Sequence, residues 1–86
     1  MRKLWSDEAW EDYLYWQVQD KKIVRKINDL LKSVERDGVM KGIGKPEPLK
    51  YRKGYSRRIT DEHRVAYDVE NGFLYIYSCK GHYDDK

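Results

Sequence analysis

Four side-chain groups in the C-terminal half of the chain can do chemistry together. They are the carboxylate of Glu47, the guanidinium groups of Arg58 and Arg64, and the imidazole of His82, with Lys50 as a further cation. Cutting RNA without a metal needs a base to deprotonate the ribose 2′-hydroxyl, an acid to protonate the leaving 5′-oxygen, and cations for the charge that gathers at phosphorus. A carboxylate or imidazole can be the base and an imidazolium the acid, each contributing about 10²–10⁴-fold when well placed. Arginine suits the phosphate oxygens because its planar fork binds them in pairs and never loses its charge. The set is chemically sufficient for RNA cleavage without being unique to it, and spacing alone leaves Glu47 an ordinary loop carboxylate.

Other chemistries fit the sequence poorly. Gly42-Ile43-Gly44-Lys45 lacks the glycine spacing and the following Ser/Thr of a phosphate-binding P-loop. Cys79, His82 and the distant His63 give three metal-ligand types without a fourth or a recognised spacing, so no metal site is expected. Cys79 with His82 lacks an orienting partner for nucleophilic catalysis, and a cysteine in mid-strand is usually packing. His63 reads as an exposed or structural histidine.

Whether these groups meet depends on the elements that carry them. Lys3-Leu4-Trp5 suits a short first strand. Ser6 is an N-cap candidate followed by Asp7 and Glu8, acids that favour the first helical turn. Ala9, Trp10, Tyr13, Leu14 and Trp16 supply the apolar positions, expected to pack in the core, of a helix ending near Val18. Asp20 caps a second helix, whose stripe Ile23, Ile27, Leu30, Leu31 and Val34 falls at helical spacing before Gly38 closes it. Gly42, Gly44, Pro46 and Pro48 mark a loop, and strands follow Gly54. Val65, Tyr67 and Val69 alternate with Arg64, Ala66 and Asp68, and Asn71-Gly72 is a strong type I′ hairpin signal.

With that two-residue turn, Val69 faces Leu74, Tyr67 faces Ile76 and Arg64 faces Cys79. Val65, Tyr67, Val69, Leu74 and Ile76 then point inward, and Arg64, Tyr75, Tyr77 and Cys79 outward. A preceding strand from Tyr55 to Ile59 must turn Ile59 inward. Parity then demands an odd-length turn around residues 60–62 and sets Arg58 beside Arg64 on the outer face. His82, three residues after Cys79, reaches the same end of the sheet. The expected class is α+β: a short N-terminal strand and a two-helix hairpin packed on a mostly antiparallel, twisted sheet of four to five strands.

Charge sharpens the picture. The chain has 86 residues and a net charge of +3, enough for one domain over residues 1–86. Residues 1–43 are nearly balanced, whereas residues 45–64 carry Lys45, Lys50, Arg52, Lys53, Arg57, Arg58 and Arg64 against Glu47, Asp61 and Glu62. Interleaved with Tyr51 and Tyr55, that excess suits a polyanion such as RNA, with Lys45, Lys50 and Arg57 as candidate contacts. A solvated loop beside a charge-protected strand edge is the plainer reading. Eight tyrosines, three tryptophans and one phenylalanine oppose disorder, despite 38% charged residues. A single cysteine permits no intrachain disulfide, and the absence of a long apolar run or signal-like start points to a cytoplasmic protein without membrane contact. No helix carries a basic recognition face, which disfavours a DNA-binding regulator.

Across nearly its whole length the sequence resembles the YoeB-type toxins of bacterial YoeB–YefM toxin–antitoxin pairs, within the RelE-like superfamily. The resemblance rests on Leu-Trp-Ser-Asp-Glu-Ala-Trp-Glu-Asp-Tyr-Leu-Tyr-Trp-Gln at 4–17, Gly-Lys-Pro-Glu-Pro-Leu-Lys at 44–50, Ser-Arg-Arg-Ile-Thr-Asp-Glu-His-Arg-Val at 56–65 and His-Tyr at 82–83. It implies an endoribonuclease, or mRNA interferase, that enters the ribosomal A site and cuts translated messenger RNA by 2′-hydroxyl attack. No metal or cofactor takes part, and translation stops. Carried onto this chain, Glu47 is the implied general base, His82 the general acid, Tyr83 its companion, and Arg58 and Arg64 the phosphate-stabilising pair. Implied partners are the ribosome and messenger RNA, a YefM-like antitoxin, a second copy of the toxin, and operator DNA through the toxin–antitoxin complex only. The alternative is a non-catalytic binder of RNA or the ribosome with the same fold. Family chains commonly stop near His-Tyr, whereas Asp84-Asp85-Lys86 follows here.

Overall fold

The structure, a computed structural model, describes residues 1–82. In chain order it comprises strand β1 (Arg2–Trp5), helix α1 (Asp7–Gln19), helix α2 (Lys21–Asp37) and strands β2 (Glu47–Pro48), β3 (Tyr55–Arg58), β4 (Arg64–Glu70) and β5 (Phe73–Ser78). Ser6 caps α1 as its position suggests, its Oγ accepting the Ala9 N–H at 3.0 Å while donating to the Tyr77 carbonyl at 2.8 Å. One residue, Asp20, separates the helices. Its extended backbone (φ −161°) ends α1, and its carboxylate accepts the Lys22 N–H to start α2. The α2 stripe is buried at Ile27, Leu30, Leu31 and Val34, and Gly38, at φ 103°, carries the chain out of the helix.

The sheet has the order β1-β5-β4-β3-β2. All neighbours are antiparallel except β1 and β5, which run parallel because the whole helical hairpin lies between the first strand and the last in sequence. Asn71 and Gly72 both have positive φ (53° and 80°), so Glu70 pairs with Phe73 across the expected tight turn. Both helices cover one face only. There Val65, Tyr67, Leu74, Ile76 and Ile59 pack against Ala9, Trp16, Ile27, Leu30, Leu31 and Val34 to form the core.

Two expectations need correcting. The β4–β5 register holds at Val69–Leu74 and Tyr67–Ile76, but a bulge follows and Ala66 pairs with Ser78. Arg64 therefore does not face Cys79. The extra residue reverses the alternation beyond Tyr77 and turns Cys79 inward, where it is fully buried with its sulfur 3.6 Å from the Ala9 carbonyl. In α1 the core takes Ala9 and Trp16, whereas Trp10 and Leu14 are 45% and 40% exposed. Trp10 instead joins Trp5 and Tyr13 in an aromatic cluster with centroids 4.7–6.1 Å apart at the β1 edge. No helix among the described residues is long and apolar enough to cross a membrane.

Candidate active site on the open face of the sheet

The candidate groups gather on the face that the helices leave uncovered. Strand pairing sets Glu47 opposite Ser56, Ser56 opposite Ala66, and Arg58 opposite Arg64. Cross-strand partners share a face, so Glu47, Ser56, Arg58 and Arg64 all point away from the core. The turn from Ile59 to His63 has the odd length that parity demanded. The His63 carbonyl accepts from the Ile59 and Thr60 N–H groups, and Thr60 Oγ1 accepts from the Glu62 and His63 N–H groups.

Arg64 is the best-held member, with only 12% of its side chain exposed. Its Nε donates to Ser56 Oγ at 2.9 Å, and one terminal nitrogen donates to the carbonyls of Lys45 and Ser56 at 3.2 Å each. The same nitrogen lies 3.5 Å from Glu47 Oε1, and the Glu47 side chain is 63% exposed. A guanidinium fixed on one edge and open on another can present a charged fork to a phosphate without first having to order itself. Arg58 is more loosely placed, pairing with the exposed Asp61 carboxylate at 3.6 Å.

His82 sits at the same end of the sheet. Its Nε2 lies 3.4 Å from the Asp61 carbonyl, so Asp61 touches both Arg58 and the imidazole. The segment leading to it is pinned from two sides. Trp16 Nε1 donates to the Cys79 carbonyl at 2.9 Å, and Asp12 accepts the Cys79 N–H at 3.0 Å. The Arg64 N–H donates to the Gly81 carbonyl at 3.0 Å, and His63 Nδ1 accepts the Gly81 N–H at 2.9 Å. The His63 ring stands edge-on to Trp16 at 4.8 Å. Of the two roles expected for His63, exposed or structural, these contacts favour the structural one.

Other candidates fare differently. Lys45 contributes its carbonyl to Arg64 while its side chain is exposed, and Lys50 is exposed in the loop after β2. Tyr55 faces the core, tilted against Tyr67 at 6.0 Å, whereas Tyr51 is 82% exposed. Tyr83 and Asp84-Asp85-Lys86 lie outside the described residues. Arg57 requires a correction: it is 0% exposed, points to the helical side of the sheet, and cannot reach RNA. The sequence reading passed over Ser56 and Asp61. Ser56 was within reach of parity, being two residues before Arg58 and therefore on its face.

A two-helix layer on one side of a five-stranded mixed sheet, with paired arginines and a carboxylate on the other, defines a small α+β domain with a cationic site on its open face. Residues 5–83 match the family described as YoeB-like toxins of bacterial type II toxin–antitoxin systems, and the chain belongs to that family. It is 52% identical over 85 residues to the toxin YoeB of Escherichia coli strain K12, covering 96% of this chain and 100% of that one. The fold superposes on the YoeB dimer structure from Staphylococcus aureus with a TM-score of 0.91 at 52% identity, covering 96% of this chain and 98% of that one. The heterotetrameric YoeB–YefM complex from the same organism gives a TM-score of 0.89, again at 52% identity and with the same coverage.

Proposed function

We propose that this toxin is a ribosome-dependent endoribonuclease that cuts translated messenger RNA in the A site. The observation that carries the reading is the Arg64–Glu47 pair on the open sheet face, with Arg58 directly across the strand boundary and His82 at the same end. Glu47, exposed and beside a cation, takes the proton from the ribose 2′-hydroxyl. The freed oxygen attacks phosphorus, and Arg64 and Arg58 hold the non-bridging oxygens as negative charge builds there. His82 gives its proton to the departing 5′-oxygen, leaving a 2′,3′-cyclic phosphate and a 5′-hydroxyl. Tyr83 stands next to that acid in sequence and is its companion at the substrate. Lys45 and Lys50 extend the basic surface along the RNA backbone. The side chains present complete this cycle with no cofactor or metal ion.

Two of the partners are supported by the relatives, whose structures include a YoeB–YefM complex and a YoeB dimer. A YefM-like antitoxin neutralises the toxin by folding a segment over the basic open face, as expected of a disordered chain that orders on binding. A homodimer accords with the dimeric relative. Operator DNA is met only through the toxin–antitoxin complex, and the site of action is the cytoplasm, where ribosomes translate.

Primer extension on a translated message tests the reading. The wild-type chain should give stops at A-site codons. Glu47→Ala and His82→Gln should each cut at least tenfold more slowly, with ribosome binding retained. Translation blocked with full-length message would favour the non-catalytic binder, and undiminished cutting by His82→Gln would remove the imidazole from the mechanism.

A further inference from the structure

Arg57 is among the largest fully buried side chains of the described residues, and the mechanism above does not use it. Every N–H of its guanidinium is engaged. Nε donates to Tyr67 Oη at 2.8 Å, and Nη1 donates to Ser33 Oγ at 2.8 Å and to the Ile43 carbonyl at 2.9 Å. Nη2 donates to the carbonyls of Gly38 and Lys41, each at 2.6 Å. Three of these five acceptors are backbone carbonyls of the segment that joins α2 to β2. That segment has positive φ at Gly38, Gly42, Gly44 and Lys45, so no regular ladder can satisfy its carbonyls. The guanidinium takes that role. The fit is close, since a Cβ placed on Gly42 would lie 3.1 Å from Nη1, and one on Gly44 would lie 3.1 Å from Arg57 Cβ.

The clamped segment runs directly into the candidate site. The Gly44 carbonyl accepts the Arg58 N–H at 2.6 Å, and the Lys45 carbonyl accepts from the Arg64 guanidinium at 3.2 Å. Two residues further on, Glu47 meets the same Arg64 nitrogen. One buried arginine thus fixes, from the helical side of the sheet, the backbone that orients another on the open side.

We infer that Arg57 is a positioning residue: it holds the carbonyls of residues 38–43 in the arrangement from which Lys45 and Glu47 aim the Arg64 guanidinium at the scissile phosphate. This rests on the proposed ribonuclease reading. In the full-length chain, Arg57→Lys keeps the charge but loses the fork. It should lower the single-turnover cutting rate at least tenfold while ribosome affinity changes less than twofold. Arg64→Ala supplies the decisive background, because a residue acting through Arg64 has nothing left to act on there. Arg57→Lys should then add less than a twofold loss, whereas losses that simply multiply would overturn the inference. Should Arg57→Lys fail to fold, Ser33→Ala, which deletes one acceptor of the clamp far from the RNA, takes its place in the same cycle. If the wild-type chain does not cut at all, the ribonuclease reading falls, and the positioning claim is decided by NMR. The Arg64 side-chain Nε–H resonance must move in the clamp variant, and an unmoved resonance refutes the claim.

Discussion

Arg57 and Arg58 are adjacent in sequence and have opposite fates. Arg57 lies on the helical side of β3, sealed and bonded through all its N–H groups, whereas Arg58 lies on the open side with its side chain 44% exposed. The two faces of the sheet repeat this contrast. On the covered face polar groups exist to satisfy one another: Tyr67 Oη accepts from Arg57 and donates to the Val39 carbonyl at 2.6 Å. On the open face they are held on one edge and left free on another, as Arg64 is by Ser56 and the Lys45 carbonyl. Charge in a strand has no fixed meaning, because the period of two decides whether it builds the fold or meets a ligand.

The most forceful way to break this comparison is to exchange each arginine in turn for methionine, which keeps a flexible, unbranched apolar stem but removes the charge and every donor. Arg57→Met would leave five acceptors without their donor, two of them, Ser33 Oγ and Tyr67 Oη, in buried bonds, and should cost about 3–5 kcal/mol of stability in urea unfolding. Arg58→Met, which loses an ion pair with an exposed carboxylate, should stay within about 0.5 kcal/mol while lowering RNA cutting. Equal losses in the two variants would mean that the faces do not differ in the way described.

The same contrast marks what could be read from the sequence. Parity put Arg58 beside Arg64 because it needs only a turn of odd length and an inward Ile59, both local facts. The Asn71-Gly72 turn and the Ile23–Val34 stripe were legible for the same reason, each being specified within a few residues. Arg57 was not, since a run of seven cations shows no difference between the one that is buried and those that are not. Its partners, Ser33 and the carbonyls of residues 38–43, lie more than a dozen residues away. The bulge beyond Tyr67 was hidden similarly. It is supported by α1, whose Asp12 and Trp16 satisfy the backbone of Cys79 and whose cap Ser6 takes the Tyr77 carbonyl, contacts spanning more than sixty residues. Trp10 and Leu14 were assigned to the core because α1 is apolar on more than one side, and periodicity alone does not choose among its faces.

Alkaline pH probes the covered face with a smaller effect. Burial raises the Tyr67 phenol above its ordinary value near 10, the neighbouring Arg57 guanidinium opposing the shift. The folded state therefore holds the phenol proton more tightly than the unfolded chain. That contribution is intact below about pH 10 and is lost as pH rises through the folded value. Tyr67→Phe removes both phenol hydrogen bonds and should cost about 1–3 kcal/mol at pH 7. Above pH 10 the gap between variant and wild type should narrow in urea titrations. A gap that widened would mean that the phenolate, not the phenol, is the favoured buried form.

The smallest effect belongs to the rim, where covered and open surfaces meet at the β1 edge. Lys3 Nζ lies 2.6 Å from Glu35 Oε1, tying β1 to α2, and the hydrogen bond from Lys3 holds the Glu35 carboxyl below its ordinary value. A depressed carboxylate contributes stability above its unfolded value of about 4.5, and that contribution drains away as pH falls through the folded value. Both side chains are partly exposed, so the pair should contribute less than about 1 kcal/mol. Glu35→Gln should therefore lower stability slightly at pH 7 in low salt, and the difference should shrink as pH falls below about 4.5 and in 1 M NaCl. Persistence of the full difference in high salt would show that the contact works through packing rather than charge. The rim would then belong with the covered face, and the boundary between the two kinds of surface would lie one strand further out.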